Sequence, residues 1–252
     1  MDLERHKRDW EELARVDPYW AIVPAPGTRG RRWDEREFMG SARQEVERHL
    51  ARARELGFPE RRGPALDFGC GVGRQARVLA EHFDEVVGVD ISEEMIRLAR
   101  RLNEGIEGLR FCVNASADLR AMQGEAFDFV YSQLVLQHLP DERTILGYVA
   151  EMLRVLRPGG LLLFQVPIGA SRRRRVQGRR RAYAVLRGVG VPAPILYERL
   201  GLHPVRMTSA APERIRACLA SAGGEILAAE STPLAAGYRS RTFWVAKRRP
   251  VP

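Results

Sequence analysis

The chain has 252 residues, of which 45% are hydrophobic, so it is long enough for one sizeable domain with its own core. No apolar stretch reaches the roughly 18 residues of a transmembrane helix, and the charged N-terminus lacks the apolar segment of a signal peptide. We therefore expect a cytoplasmic protein. The net charge of +9 raises the question of a polyanionic partner, although all basic residues except Lys7 and Lys247 are arginine, a bias that a GC-rich coding sequence also produces.

The N-terminal part predicts a helical cap over residues 1–60. Residues 2–16 and 34–57 carry apolar positions at helical spacing. Between them, "DPYWAIVPAPGTRG" contains prolines and glycines that break a helix, while its aromatic residues remain available for packing. The aromatic residues Trp10, Tyr19 and Trp20 either cover a pocket or only pack the cap on the rest of the chain.

From Pro64 the chain alternates short apolar runs with helical segments. The runs are "ALDF", "VVGVD", "LRFCV", "FDFVYS" and "GLLLFQV". Alternation of this kind predicts parallel strands joined by right-handed helical crossovers, and hence an α/β fold. We place this core at residues 61–167.

The C-terminal part departs from this alternation. A basic segment that includes "SRRRRVQGRRR", residues 171–181, belongs to an insertion over residues 168–205. Residues 206–252 then predict a helix and two strands, "EILAAEST" and "SRTFWVAK", joined by a short link. A short link favours a hairpin, so we expect an antiparallel strand at the C-terminal edge of the sheet and a single domain over residues 1–252.

The strongest functional signal is the stretch "ALDFGCGVGR". Its glycines, Gly69, Gly71 and Gly73, follow a predicted strand and open a helix, where missing Cβ atoms let a ligand approach the backbone. Asp90 ends the next strand, and its carboxylate could accept hydrogen bonds from both hydroxyls of a ribose. The glycines run G-x-G-x-G rather than the G-x-G-x-x-G of dinucleotide sites, and Arg74 follows them. The pattern therefore predicts a nucleoside-like ligand.

Four stretches, "LDFGCGVG", "VVGVDISEEMIRLAR", "FDFVYSQLVLQHLPD" and "VLRPGGLLLFQV", resemble motifs of the class I S-adenosylmethionine-dependent methyltransferases. The resemblance covers roughly residues 60–167. It implies a Rossmann-like three-layer sandwich with a mostly parallel seven-stranded sheet, an antiparallel C-terminal edge strand and an N-terminal helical cap. It also implies S-adenosylmethionine as the methyl donor, with S-adenosylhomocysteine as the product.

The same resemblance assigns residues to parts of the donor. Asp67 and the glycines face its methionine end, Asp90 its ribose, and Ile91 and Met95 its adenine. Family members often carry an Asp after the third strand, where this chain has Ala115. Backbone groups of Ala115 and Ser116, or the side chains of Asn114 or Asp118, then serve the adenine. The full donor set is Asp67, Gly69, Cys70, Gly71, Gly73, Asp90, Ile91, Met95, Ala115, Ser116 and Gln133.

Methyl transfer from a sulfonium is an in-line displacement, which mainly requires alignment and exclusion of water. A hydroxyl acceptor also benefits from a base, and His138, after the fourth strand, is the candidate. In related sequences a His before "PD" often only braces the loop, so both roles stay open. Gln133 and Gln137 contact the donor or the acceptor. The cysteines, Cys70, Cys112 and Cys218, have neither metal-ligand spacing nor a disulfide pattern, so we expect reduced thiols and no metal.

Three functions remain open at this point. The leading one is methylation of a hydroxyl or amine on a small-molecule metabolite. The second is methylation of RNA ribose, which the basic run at residues 171–181 motivates because it could follow a phosphate backbone. The third is a non-catalytic protein that binds S-adenosylmethionine, which the missing adenine Asp motivates.

Overall fold

The computed structural model describes residues 3–170, 177–232, 234 and 238–249. Its strands, in chain order, are β1 Pro64–Phe68, β2 Glu85–Asp90, β3 Leu109–Val113, β4 Phe127–Ser132, β5 Leu156–Ala170, β6 Gly224–Thr232 and β7 Tyr238–Lys247. They form one seven-stranded sheet in the spatial order β3-β2-β1-β4-β5-β7-β6. Neighbours among β1 to β5 are parallel, whereas β7 is antiparallel to both β5 and β6.

This sheet confirms the predicted fold class and the C-terminal hairpin. The antiparallel strand lies one position inside the edge, because β6 takes the edge itself. Helix Pro212–Ser221 carries the chain from β5 across to β6, and β7 then turns back into the space between them, where Leu163 of β5 pairs with Trp244. An antiparallel strand next to the edge thus results from a helical crossover followed by a hairpin.

Nine α-helices occur among the described residues, and none of them is long and apolar enough to cross a membrane. They are α1 Leu3–Val16, α2 Pro18–Ile22, α3 Glu35–Gly40, α4 Arg43–Glu55, α5 Arg74–Leu79, α6 Glu93–Leu102, α7 Glu142–Val155, α8 Gly178–Gly188 and α9 Pro212–Ser221. The expectation that "DPYWAIVPAPGTRG" contains no helix was wrong for its first half. Pro18 occupies the first turn of α2, where proline is tolerated, and the Asp17 side chain caps that turn.

Strand β5 shows how the sheet separates two hydrophobic layers. Its side chains alternate in direction, as in any strand. Leu162 and Phe164 join the core beneath α7 and α9, whereas Leu161 and Leu163 join the core beneath α4, α5 and α6. All four side chains are fully buried. The fold is therefore a three-layer sandwich with helices on both faces.

The N-terminal helices lie over one end of this sandwich. Leu13 of α1 and Phe38 of α3 pack in one apolar cluster with Met95 and Leu98 of α6. Lys7 of α1 adds an ion pair of 2.7 Å to Glu93, at the start of α6. The helix α1 is thereby held next to the carboxyl end of β2.

The segment between β5 and α9 is attached to the cap. Glu12 of α1 accepts hydrogen bonds from Tyr183 and from Arg187, the latter at 2.9 Å. Tyr197, in a π-helical turn at Ile195–Arg199, donates its hydroxyl to the buried Asp17 carboxylate at 2.9 Å. The predicted insertion and the cap therefore contact each other, while residues 171–176 of the basic run lie outside the described residues.

Candidate functional site

A single cavity lies where the loops after β1, β2 and β4 meet, at the carboxyl ends of parallel strands, where such sheets bind ligands. The space inside the cavity and at its mouth is about 860 Å³, part of which is open solvent. Eight of the twelve predicted site residues line it: Gly69, Cys70, Gly71, Asp90, Ile91, Met95, Gln133 and His138. Asp67, Gly73, Ala115 and Ser116 do not line it, and the roles assigned to all twelve remain predictions.

The glycine loop has the backbone conformation that its sequence suggests. Gly69 and Gly71 have φ values of +77° and +53°, in the left-handed region that favours glycine. The N–H groups of Gly69 and Cys70 donate to the carbonyl of Val89, at 2.8 and 2.9 Å, which joins the loop to β2. The loop is therefore fixed before any ligand arrives. Burial raises the pKa of the Cys70 thiol, so the thiol stays protonated.

Asp90 connects the glycine loop to the start of α6. Its Oδ2 accepts from the Gly71 N–H at 3.0 Å, and its Oδ1 accepts from the Ser92 N–H at 3.0 Å. Each carboxylate oxygen has a second lone pair, so both can accept one more hydrogen bond. Burial raises the pKa of Asp90, while these backbone donors lower it. The geometry is therefore compatible with a ligand that carries two neighbouring hydroxyls.

Asp67 is the last residue but one of β1 and is 1% exposed. Its Oδ2 has no hydrogen-bond partner among the described residues. Burial raises the pKa of the Asp67 carboxyl to about 7, against an opposing effect of Arg74 and with a smaller contribution from Asp90. A buried carboxylate oxygen without a partner is costly, which favours the protonated form of this carboxyl.

The raised pKa of Asp67 predicts a pH-dependent stability. Between about pH 4 and pH 7 the folded protein holds a proton on Asp67 that the unfolded chain has lost, so the free energy of unfolding falls as the pH rises through this range. The substitution Asp67→Asn removes this effect. We expect the unfolding free energy of the variant, relative to the unsubstituted protein, to be on the order of 2 kcal/mol higher at pH 7.5 than at pH 4.5. Urea unfolding at the two pH values measures the difference, and equal values would contradict the assignment.

Arg74 and Gln133 bring unpartnered polar groups to the cavity. Arg74 is 4% exposed and its Nε has no hydrogen-bond partner among the described residues, while Gln133 is 3% exposed and neither of its amide atoms has one. The sequence singled out Gln133 but not Arg74, which it marked only as a departure from the dinucleotide pattern. Sequence periodicity does not show that the first residue of a helix turns its side chain inward. The one sequence feature that could have indicated Arg74 is its position directly after Gly73, the third glycine of the loop.

The segment after β3 places one of the proposed adenine residues at the cavity. Asn114 lines the cavity, and its backbone N–H donates to the Asp90 carbonyl at 2.8 Å. Ala115 and Ser116 are exposed, and the Ser116 carbonyl accepts from the hydroxyl of Tyr148, which lines the cavity. Of the alternatives to the missing Asp, the geometry therefore favours Asn114. Tyr148 has no signal in the sequence, because it lies within the regular pattern of α7.

His138 lies in a 3₁₀ turn, Leu136–His138, that follows β4. Its Nδ1 is 2.8 Å from the carbonyl of Arg206, to which it donates, and its Nε2 is 3.2 Å from the Gln137 amide nitrogen. Burial lowers the pKa of His138 to about 4, so the imidazole is neutral at pH 7. Both ring nitrogens have partners, which supports the bracing role, and the catalytic role remains a prediction.

The aromatic residues of the cap divide between the two roles that the sequence left open. Trp10 lines the cavity, with its ring 5.2 Å from that of His138. Tyr19 stacks on Phe38 at 4.5 Å, and Trp20 packs edge-on against Tyr197 at 5.2 Å. Trp10 therefore covers the pocket, while the other two rings pack the cap.

Two kinds of sequence similarity bear on this site. A family model described as a methyltransferase domain matches residues 66–164. Over 105 residues the chain is 42% identical to trans-aconitate 2-methyltransferase of Azoarcus sp. (strain BH72), covering 40% of this chain and 38% of that protein. Over 141 residues it is 34% identical to sarcosine/dimethylglycine N-methyltransferase of Halorhodospira halochloris, covering 55% and 48%. The chain thus spans less than half the length of these curated relatives.

The whole fold also matches solved structures. Magnesium protoporphyrin IX methyltransferase from Synechocystis PCC 6803, solved with bound SAH, aligns with a TM-score of 0.61 over 98% of this chain and 100% of that one. The two chains are 20% identical, so this match concerns the fold. The fold, the glycine loop and the matching domain model agree with the motifs of the sequence. Residues 66–164 are thus similar to methyltransferase domains, and the fold matches that of a solved methyltransferase.

Proposed function

We propose that this protein transfers a methyl group from S-adenosylmethionine to a small-molecule acceptor. The observation that carries the proposal is the pairing of the glycine loop with Asp90, whose carboxylate is 3.0 Å from the Gly71 N–H and lines the same cavity. Beside this pair lie the buried, unpartnered polar groups of Arg74 and Gln133. A ribose and an amino-acid group, joined in one ligand, complement these features.

The residues of the cavity have suitable partners for the ribose, methionine and adenine parts of such a donor. Asp90 would accept from the ribose hydroxyls. The guanidinium of Arg74 and the amide of Gln133 would bind the carboxylate and ammonium groups of the methionine part, because both have unused hydrogen-bonding atoms. Ile91 and Met95 would contact the adenine, with Asn114 as a polar partner.

The bound donor would supply an activated methyl group, and the chain's own task is alignment and exclusion of water. The acceptor side of the cavity is formed by α1 and by the loop after β4. Its apolar members include Leu3, Trp10, Leu134 and Leu139. Such a wall keeps water from competing with an acceptor and admits a compact organic molecule.

Calorimetry tests the donor assignment. We expect S-adenosylmethionine and S-adenosylhomocysteine to bind with a stoichiometry of one, and NAD to give no heat, because the loop lacks the dinucleotide spacing. Binding of NAD without binding of either sulfur nucleoside would contradict the proposal. Formation of S-adenosylhomocysteine with a panel of phenols, amines and carboxylic acids then separates an enzyme from a protein that only binds the donor.

We propose a small-molecule acceptor, because the curated relatives are named for trans-aconitate and for sarcosine and dimethylglycine. A hydroxyl or amine remains the expected acceptor group.

The RNA alternative depends on the basic run, of which the structure describes residues 177–181. A cytoplasmic location likewise remains a proposal.

A further inference from the structure

A second histidine lies at the same cavity, contributed by the cap. His6 of α1 is 8% exposed and lines the cavity on the side facing His138. The ring of Trp10 contacts both, with centroid distances of 6.4 Å to His6 and 5.2 Å to His138. Two imidazoles from segments 132 positions apart in the chain therefore border one space.

The two histidines differ in their hydrogen bonds. Both nitrogens of His138 have partners, in the Arg206 carbonyl and the Gln137 amide. His6 makes no hydrogen bond to any residue in the described part of the chain, and its ring packs edge-on against that of Trp10. Its ring nitrogens are accessible from the cavity and have no partner there among the described protein residues. A ligand in the cavity would supply that partner.

We propose that His6 is the general base for a hydroxyl acceptor, and that His138 is a positioning residue. This inference rests on the proposed function. The acceptor oxygen forms a bond to the methyl carbon as the carbon–sulfur bond breaks, and the electron pair of that bond stays on sulfur. The hydroxyl proton passes to a ring nitrogen of His6, and the resulting imidazolium later releases it to solvent.

The surroundings of His6 keep its lone pair available. Burial, together with smaller effects of His138 and Arg206 on two other segments, lowers the pKa of His6 to about 4. The pKa of His138 is also about 4. Both rings are therefore neutral at pH 7, but only His6 presents a nitrogen that no protein group occupies.

Three matched variants test this inference, once the acceptor panel has identified a hydroxyl acceptor. His6→Gln removes the base, and His138→Asn keeps a donor for the Arg206 carbonyl. His82→Gln is the control, because His82 pairs with Glu47 away from the cavity. We expect kcat to fall 10²-fold to 10⁴-fold in His6→Gln, about tenfold in His138→Asn, and not at all in the control. All variants should bind S-adenosylhomocysteine with unchanged affinity.

The pH dependence of kcat distinguishes a catalytic role of His6 from a structural one. In His6→Gln, kcat should rise about tenfold per pH unit up to the pKa of the acceptor, because only the ionised acceptor then reacts. A pH-independent loss, or a larger loss in His138→Asn, overturns the inference. A panel in which only carboxylic acids are methylated also overturns it, since a carboxylate needs no base. Absence of donor binding, or of any methyl transfer, contradicts the proposed function itself.

Discussion

Replacement of Asp90 by alanine is expected to weaken S-adenosylmethionine binding roughly 100-fold, which corresponds to about 2.7 kcal/mol. The physical reason is the loss of a charged acceptor for two ribose hydroxyls. Hydrogen bonds to a charged group contribute about 1.5–3 kcal/mol each, and a buried site has no water to replace them. The substitution also frees the N–H groups of Gly71 and Ser92, which loosens the loop that contacts the donor.

Asp128→Ala is the matched control for this prediction. Asp128 is another carboxylate on the sheet, 4% exposed, and its Oδ2 accepts from the Gly63 N–H at 3.0 Å. It lies at the opposite end of the strands, next to Arg157. Its removal should lower the free energy of unfolding while calorimetry finds an unchanged donor affinity. Equal losses of affinity in the two variants would mean that general loosening, rather than contact with the ribose, explains the Asp90 result.

The sequence predicted those parts of the site that depend on neighbours in the chain. A strand, a glycine turn and a helix follow one another within residues 64–79, so their order already places Gly69 and Gly71 at the carboxyl end of β1. Asp90 is equally local, because it ends the next strand. These positions follow from the direction of parallel strands and need no knowledge of distant contacts.

Other parts of the site depend on contacts between distant segments. His6 reaches the cavity because α1 packs on α6, an arrangement that hydrophobic periodicity indicates only as an amphipathic helix. Arg74 contacts a distant segment of the chain, since its guanidinium lies 5.8 Å from the ring of Phe38. The position of β7 inside the sheet edge likewise follows from pairing geometry, since two strands and a short link are compatible with either order.

The largest loss of stability is expected for Gly69→Ala. Gly69 has a φ of +77°, which costs a residue with a Cβ roughly 1–2 kcal/mol. A Cβ at this position would also lie 2.4 Å from Cγ2 of Val135 and 2.9 Å from its Cβ, so the loop after β4 would have to move. Overpacking of this kind costs about 1–3 kcal/mol. Together these effects predict a free energy of unfolding lower by about 2–5 kcal/mol, measured by urea denaturation.

The variant Gly147→Ala is the control that measures the effect of adding a methyl group where there is no steric conflict. Gly147 lies on the exposed side of α7, and nothing lies within 4 Å of the Cβ position. Alanine in a helix interior is favoured over glycine by about 0.5–1 kcal/mol, so this variant should be more stable than the unsubstituted protein. The same chemical change thus has opposite expected signs at two positions. A Gly69→Ala variant as stable as Gly147→Ala would show that the loop tolerates a side chain, and the close approach of Val135 would then not explain the glycine.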